Sequence, residues 1–182
     1  MKQFFKKHSK SFTIIELIIA VSIIIILSVV VIGNYEWGGY EVELHEATQK
    51  VVQDMSKLRN EALASSVDSP PPGIYIGLQT SSYIIFKDRN GNGEYDSDAG
   101  ETQKVIDLGE DIYFESVEWD LESNGPKGPR GSVNLSFIPP EPTVKIVLGD
   151  EEKNAVMVTL WSRKSNSTSS IFISQSGLIE TR

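Results

Sequence analysis

Cysteine is absent from all 182 residues, and histidine occurs only as His8 and His45. The first absence excludes disulfide scaffolds, thiolate zinc sites, haem attachment, thiol catalysis and lipidation at cysteine. The second leaves no set of imidazoles for a multi-histidine metal site. Basic residues are also scarce: 17 Lys and Arg stand against 25 Asp and Glu, a formal net charge of −8. A phosphate backbone is repelled on average by such a chain, so nucleic acid is not an expected partner. Neither an internal repeat nor a glycine-rich phosphate loop between strand and helix is seen. At this length, one domain with an appendage is expected rather than two full cores.

The charge that is present is placed unevenly. Residues 1–11, MKQFFKKHSKS, carry Lys2, Lys6, Lys7 and Lys10 and no acid. Residues 12–32, FTIIELIIAVSIIIILSVVVI, carry one formal charge, Glu16. As a helix this run measures roughly 31 Å, enough to cross a bilayer core. The basic flank places the N-terminus in the cytoplasm and the remainder outside. No A-x-A-like cleavage site follows, so the run reads as retained and not as a secretory signal. A carboxylate at that depth costs about 3 kcal/mol. Glu16 is therefore either a helix-end residue reaching the interface near Lys10, or a counter-charge for a cation inside an apolar interior.

Beyond Gly38 and Gly39, YEVELHEATQKVVQDMSKLRNEALASS has helical periodicity. Leu44, Ala47, Val51, Met55, Leu58 and Ala62 recur every three or four residues and draw one apolar stripe. Glu46/Lys50 and Lys57/Glu61 add opposite charges four apart on the wet face. A helix over 12–66 would span roughly 80 Å. His45 lies within it and reads as a solvated helix residue, not a catalytic one. Pro70-Pro71-Pro72 ends the helix, since consecutive prolines cannot continue it. From Gly73 the pattern turns to short alternating segments: GIYIGLQ and SYIIFKD as a hairpin around Thr80-Ser81, then VIDL, IYFESVEW, SVNLSFI, TVKIVLG, AVMVTLW and SIFIS. Trp119 and Trp161 read as core or sheet surface rather than a ligand cage.

The expected fold class is α+β: a long N-terminal α-helix with a membrane-spanning first half, packed on a C-terminal antiparallel β-sheet or sandwich head. The expected organisation is a basic leader (1–11), a transmembrane or filament-core helix (12–32), an amphipathic continuation (33–66), a proline-rich linker (67–73) and a β-rich extracytoplasmic head (74–182).

One loop carries candidate metal chemistry. In DRNGNGEYDSDAGE, Asp88, Asn90 and Asn92 stand at alternate positions with Gly93 at the sixth. They can converge on a hard cation, calcium, with Glu94 (through its carbonyl) and Asp96 completing the shell. The twelfth position is Ala99, so Asp98 or Glu101 must supply the final ligand. The competing reading is an ordinary acidic loop whose Asn-Gly steps make turns. No enzyme is expected. Serine catalysis would need His45, on a helix given over to packing, and no carboxylate spacing singles out a hydrolytic pair.

The N-terminal text, SFTIIELIIAVSIIIILSVVVIGNY, resembles the cleavage-and-methylation segment of type IV pilins and type II secretion pseudopilins. Phe12, Thr13, Glu16, Asn34 and Tyr35 match that family in type and spacing. LRNEALASS, FKDRNGNGEYDSDAGE and SIFISQSGLIETR are more loosely similar to the H-type minor pseudopilin and related minor pilins. Ser11 stands where the family usually has Gly, and Gly33 where it often has Pro; Ser11 is small enough to be expected as tolerated. The resemblance implies cleavage between Ser11 and Phe12 by a prepilin peptidase/N-methyltransferase, N-methylation of Phe12, and Glu16 as the counter-charge of the new amine during assembly. It implies other pilin or pseudopilin subunits as partners and membrane lipid before assembly. The implied location is the cytoplasmic membrane, single pass, and then an extracytoplasmic filament. The alternative is a tip-displayed binding module, an adhesin or DNA-uptake minor pilin. DNA binding is disfavoured because the basic clusters are only Lys127/Arg130 and Arg163/Lys164, with Arg182 at the end. A third reading is a plain membrane anchor whose leader is never cut.

Overall fold

The computed structural model describes residues 13–119, 131–141 and 143–182. The chain divides into two compact units, Met1–Gly39 and Tyr40–Arg182. Helix α1 is Ile14–Ala64, 51 residues.

In the first unit, every described side chain of α1 from Ile14 to Val29 is exposed. Ser22 and Ser28 donate their hydroxyls to the carbonyls of Ile18 and Ile24, so the hydroxyls of the run are satisfied within the helix. The expected fold class needs correction here. Among the described residues, no helix is long and apolar enough to cross a membrane. The fold therefore lends no support to single-pass membrane placement. The balance of the architecture also differs from that of a long helix with a head appended. Among the described residues, ten strands in two antiparallel sheets outweigh α1 and a 3-10 turn at Ser97–Ala99.

In the second unit, β1 (Pro72–Gly77), β2 (Ser82–Lys87), β3 (Thr102–Asp107), β4 (Ile112–Trp119) and β5 (Ser132–Phe137) are followed by β6 (Val144–Leu148), β7 (Glu151–Lys153), β8 (Ala155–Ser162), β9 (Ser167–Ser174) and β10 (Ile179–Thr181). One sheet has the order β3-β2-β1-β5-β6-β7 and the other β10-β9-β8-β4. β1 and β2 form the hairpin, with Ile74 opposite Ile85 and Ile76 opposite Tyr83. β1 is central because β5 pairs with its other edge. The linker is shorter than 67–73, since Pro72 opens β1. Proline is tolerated at a strand's first position, where its missing N–H costs least.

One core joins both sheets to the helix. Leu44, Ala47, Val51, Met55, Leu58 and Ala62 are all buried, and they meet Ile74, Ile76, Phe114, Val117, Leu135, Val158, Leu160 and Ile171. A fully buried side chain such as Val51 or Met55 contributes about 1.5–3 kcal/mol from apolar area. Thr48 shares this buried face, and its hydroxyl is satisfied by the Leu44 carbonyl at 2.8 Å. The charges on the outer face of the helix reach the sheet: Lys50 donates to the Asp107 carbonyl, and Glu61 pairs with Lys87 at 3.0 Å. Trp119 is buried, whereas Trp161 is half-buried on the outer face of the four-stranded sheet.

Candidate functional site

Two of the sequence candidates can be placed. The first opens α1. The Thr13 hydroxyl accepts the Glu16 N–H at 3.3 Å, and Glu16 Oε2 accepts both the Thr13 N–H and the Thr13 hydroxyl at 3.0 Å. This is a reciprocal capping box at the first turn. The Thr13 backbone donor, and then its hydroxyl, hold the Glu16 carboxyl below the usual carboxylate range. A carboxylate there also suits the positive end of the helix dipole. Glu16 thus has a local role that its spacing to Phe12 does not reveal. Ser11 and Phe12, the expected cleavage and methylation residues, lie outside the described residues, as does the Lys127/Arg130 loop.

The second candidate is the loop between β2 and β3. Asp88 is buried, and both its oxygens take backbone N–H groups: Gly91 at 2.7 Å and Gly93 at 2.8 Å. Those two glycines have φ of 75° and 85°, the left-handed region that lets the loop fold back on Asp88. A Cβ at Gly93 would also meet the Lys145 side chain at 2.6 Å. Asn90 and Asn92 turn their side-chain oxygens onto the N–H groups of Asn92 and Glu94. Their amide nitrogens converge on Asp96 Oδ2, at 2.7 and 2.9 Å. Glu101 is fully buried and caps the Arg89 and Asp96 N–H groups with its two oxygens.

The loop therefore brings Asn90 and Asn92 onto Asp96, while both Asp88 oxygens are spent on backbone N–H groups. Glu101 is committed to the backbone, and exposed Asp98 accepts from Ser97 beside it. Among the described residues, no group of three His, Cys, Asp or Glu is arranged to hold a metal ion. Asp88, Asn90, Asn92 and Asp96 carry hard oxygens of the kind calcium takes, but Asn90 and Asn92 present nitrogen to Asp96 and would have to rotate to offer oxygen.

Three contributors to this loop come from distant strands and have no local signal. Asn134 on β5 accepts the Tyr95 N–H at 3.0 Å, Lys145 on β6 donates to the Asn92 carbonyl at 2.6 Å, and Tyr75 on β1 packs against the Tyr95 ring, whose other neighbour is Phe86. Of the basic clusters, Lys164 pairs with Asp111 at 2.7 Å and is held protonated to higher pH chiefly by that hydrogen bond. Arg182 lies 4.6 Å from the Phe172 ring and 3.9 Å from Glu180.

No family model, curated protein or solved structure matches this chain.

Proposed function

We propose that the chain is a minor structural subunit of a type IV pilus-like or type II secretion pseudopilus filament, without enzymatic activity. The observation that carries this reading is the first unit of α1, where apolar side chains from Ile14 to Val29 are exposed on every side around one carboxylate, Glu16. An apolar surface of that extent needs a cover, and the same segments of neighbouring subunits supply one of matching length and chemistry. Glu16 supports the reading from the charge side. Its Oε2 is occupied by Thr13, which leaves Oε1 to meet the amine that cleavage before Phe12 would create. A prepilin peptidase/N-methyltransferase is the partner for that step, and the assembled filament stands on the outer side of the cytoplasmic membrane.

Mass spectrometry of the protein from cells with an active prepilin peptidase tests this. The expected N-terminus is a methylated Phe12, whereas an intact Met1 overturns the filament reading. In the same cells, Glu16→Ala is expected to be cleaved normally yet enter filaments poorly.

A further inference from the structure

A concentration of unspent chemistry lies on the outer face of the four-stranded sheet, away from the acidic loop. Tyr113 on β4 and Trp161 on β8 are register partners, with ring centroids 6.2 Å apart and planes 28° from parallel. Both are half-buried, so each keeps open ring surface. The Arg163 guanidinium lies 5.1 Å from the Tyr113 ring centroid, and the Arg163 N–H is anchored on the Asp111 carbonyl at 2.8 Å. With Gln79, Phe114 and Glu115, these residues line an open concavity of 330 Å³.

Two backbone irregularities fall on this rim. The β4–β8 register shifts between Phe114 and Ser116, which leaves Glu115 as the extra residue of a bulge, a device that re-aims a side chain. Gln79 sits at φ 58° and donates its N–H to the Phe114 carbonyl at 2.8 Å. A non-glycine residue in that region is uncommon, and such residues gather at binding sites. The Gln79 amide, the Glu115 carboxylate, the Arg163 guanidinium and the Trp161 indole N–H make no hydrogen bond or ion pair with another described residue. Elsewhere on the sheet, neighbouring hydroxyls such as Thr159 and Ser170 are paired with each other.

We propose that this concavity binds a neutral saccharide chain, one pyranose face resting on Trp161 and Tyr113 and its hydroxyls held by Gln79, Glu115 and Arg163. A pyranose presents C–H groups on its faces and hydroxyls around its edge. The faces suit the negative surfaces of aromatic rings, and the hydroxyls need both acceptors and donors. An amide, a carboxylate and a guanidinium supply both, and the last two cancel in charge. The volume is at the small end of ligand sites, roughly 300–1,000 Å³, and its open form lets a chain pass through. Single-stranded nucleic acid would also stack on these rings, but Glu115 at the rim and a net charge of −8 oppose its phosphates.

The test uses the full chain in lauryldimethylamine oxide micelles, a detergent without a sugar headgroup. Cellohexaose, maltohexaose and N-acetylchitohexaose are the probes, read by saturation-transfer NMR and tryptophan fluorescence. At least one is expected to bind. Trp161→Ala should weaken it about tenfold or more, whereas Trp161→Phe, which keeps a ring, stays within about threefold. Gln79→Ala and Glu115→Gln change exposed residues and should each weaken binding several-fold; they carry the test if Trp161→Ala fails to fold. Failure of all three probes to bind, binding unchanged in Gln79→Ala and Glu115→Gln, or binding of oligothymidylate in place of the sugars would overturn the proposal.

Discussion

The Tyr83 hydroxyl donates a 2.6 Å hydrogen bond to Asp54 Oδ2, tying β2 to α1 through a side chain that is otherwise fully buried. Burial first, then the hydrogen bond and the charge of Asp54, push the Tyr83 phenol far above its ordinary range. Only the neutral phenol can donate, so the contribution is complete below the unfolded value near pH 10 and is lost as pH rises above it. Tyr83→Phe should cost about 1.5–3 kcal/mol at pH 7, the range for a hydrogen bond to a charged group. In urea unfolding at pH 7 and again above pH 10, the gap between wild type and Tyr83→Phe should narrow at the higher pH. An equal gap at both would show that the folded phenol is not shifted above its unfolded range.

Gly73 should not tolerate alanine, although its backbone is ordinary strand. A Cβ there would meet the Phe86 ring at 2.5 and 2.6 Å and the Leu135 carbonyl at 2.9 Å. The Leu135 carbonyl belongs to the neighbouring strand and cannot give way as a side-chain tip can. Gly73→Ala is expected to destabilise by about 1–3 kcal/mol, as overpacked cores do. Adding Phe86→Leu should recover part of the loss in thermal unfolding, because it removes the ring but leaves the carbonyl.

Periodicity carries far where one face of an element is buried. The stripe from Leu44 to Ala62 and the alternation in β4 and β8 are legible because burial imposes periods of 3.6 and 2, whereas a bulge in β2 puts its buried Tyr83 and Phe86 three apart. β7 and β10 are not legible, since three residues are too few to show alternation. Proline clusters mark breaks, and that signal hides Pro72 and Gly73 at the start of a central strand. Length and hydropathy of residues 12–32 predict a membrane span, whereas among the described residues no helix is long and apolar enough to cross a membrane. In the acidic loop, alternating oxygens are visible in the sequence, but the roles they take are not. Asp88 and Glu101 serve as caps for backbone N–H groups, and Asn134 and Lys145 arrive from strands whose pairing with β1 and with each other must be known first. The Tyr113–Trp161 platform depends on cross-strand register and a bulge, which no local pattern specifies.

Asp88 should matter to stability with or without a metal. Its two oxygens are what satisfy the buried Gly93 N–H and the Gly91 N–H, and an unsatisfied buried donor costs about 1–3 kcal/mol. Asp88→Ala is therefore expected to lower the melting temperature in EDTA. Calcium at several millimolar is proposed to raise the wild-type melting temperature, since the loop folds back on Asp88 and brings Asn90 and Asn92 onto Asp96, and modules outside the cell bind at roughly 10⁻⁴ to 10⁻³ M. The same addition should leave Asp88→Ala unmoved. Identical wild-type curves in EDTA and CaCl₂ would mean that hydrogen bonds alone hold this loop.

The division at Gly39 predicts where the chain can be cut. The buried helical stripe begins at Leu44, and the whole core, from Leu44 to Ile173, belongs to Tyr40–Arg182. The described residues that leave large apolar surface exposed are instead concentrated between Ile14 and Val29. Folding and self-association should therefore separate physically. A fragment beginning at Tyr40 is expected to unfold in one cooperative transition and to sediment as a monomer, because its apolar stripe is spent on the sheets. The full chain, diluted out of detergent, is expected to associate through the exposed run. Replacing Ile18 and Ile25 by lysine in the full chain should weaken that association while leaving the melting transition within about 0.5 kcal/mol, the usual range for substitutions at exposed positions. A Tyr40 fragment that associates as strongly as the full chain would place the contact surface on the strands and remove the apolar helix from the account of assembly.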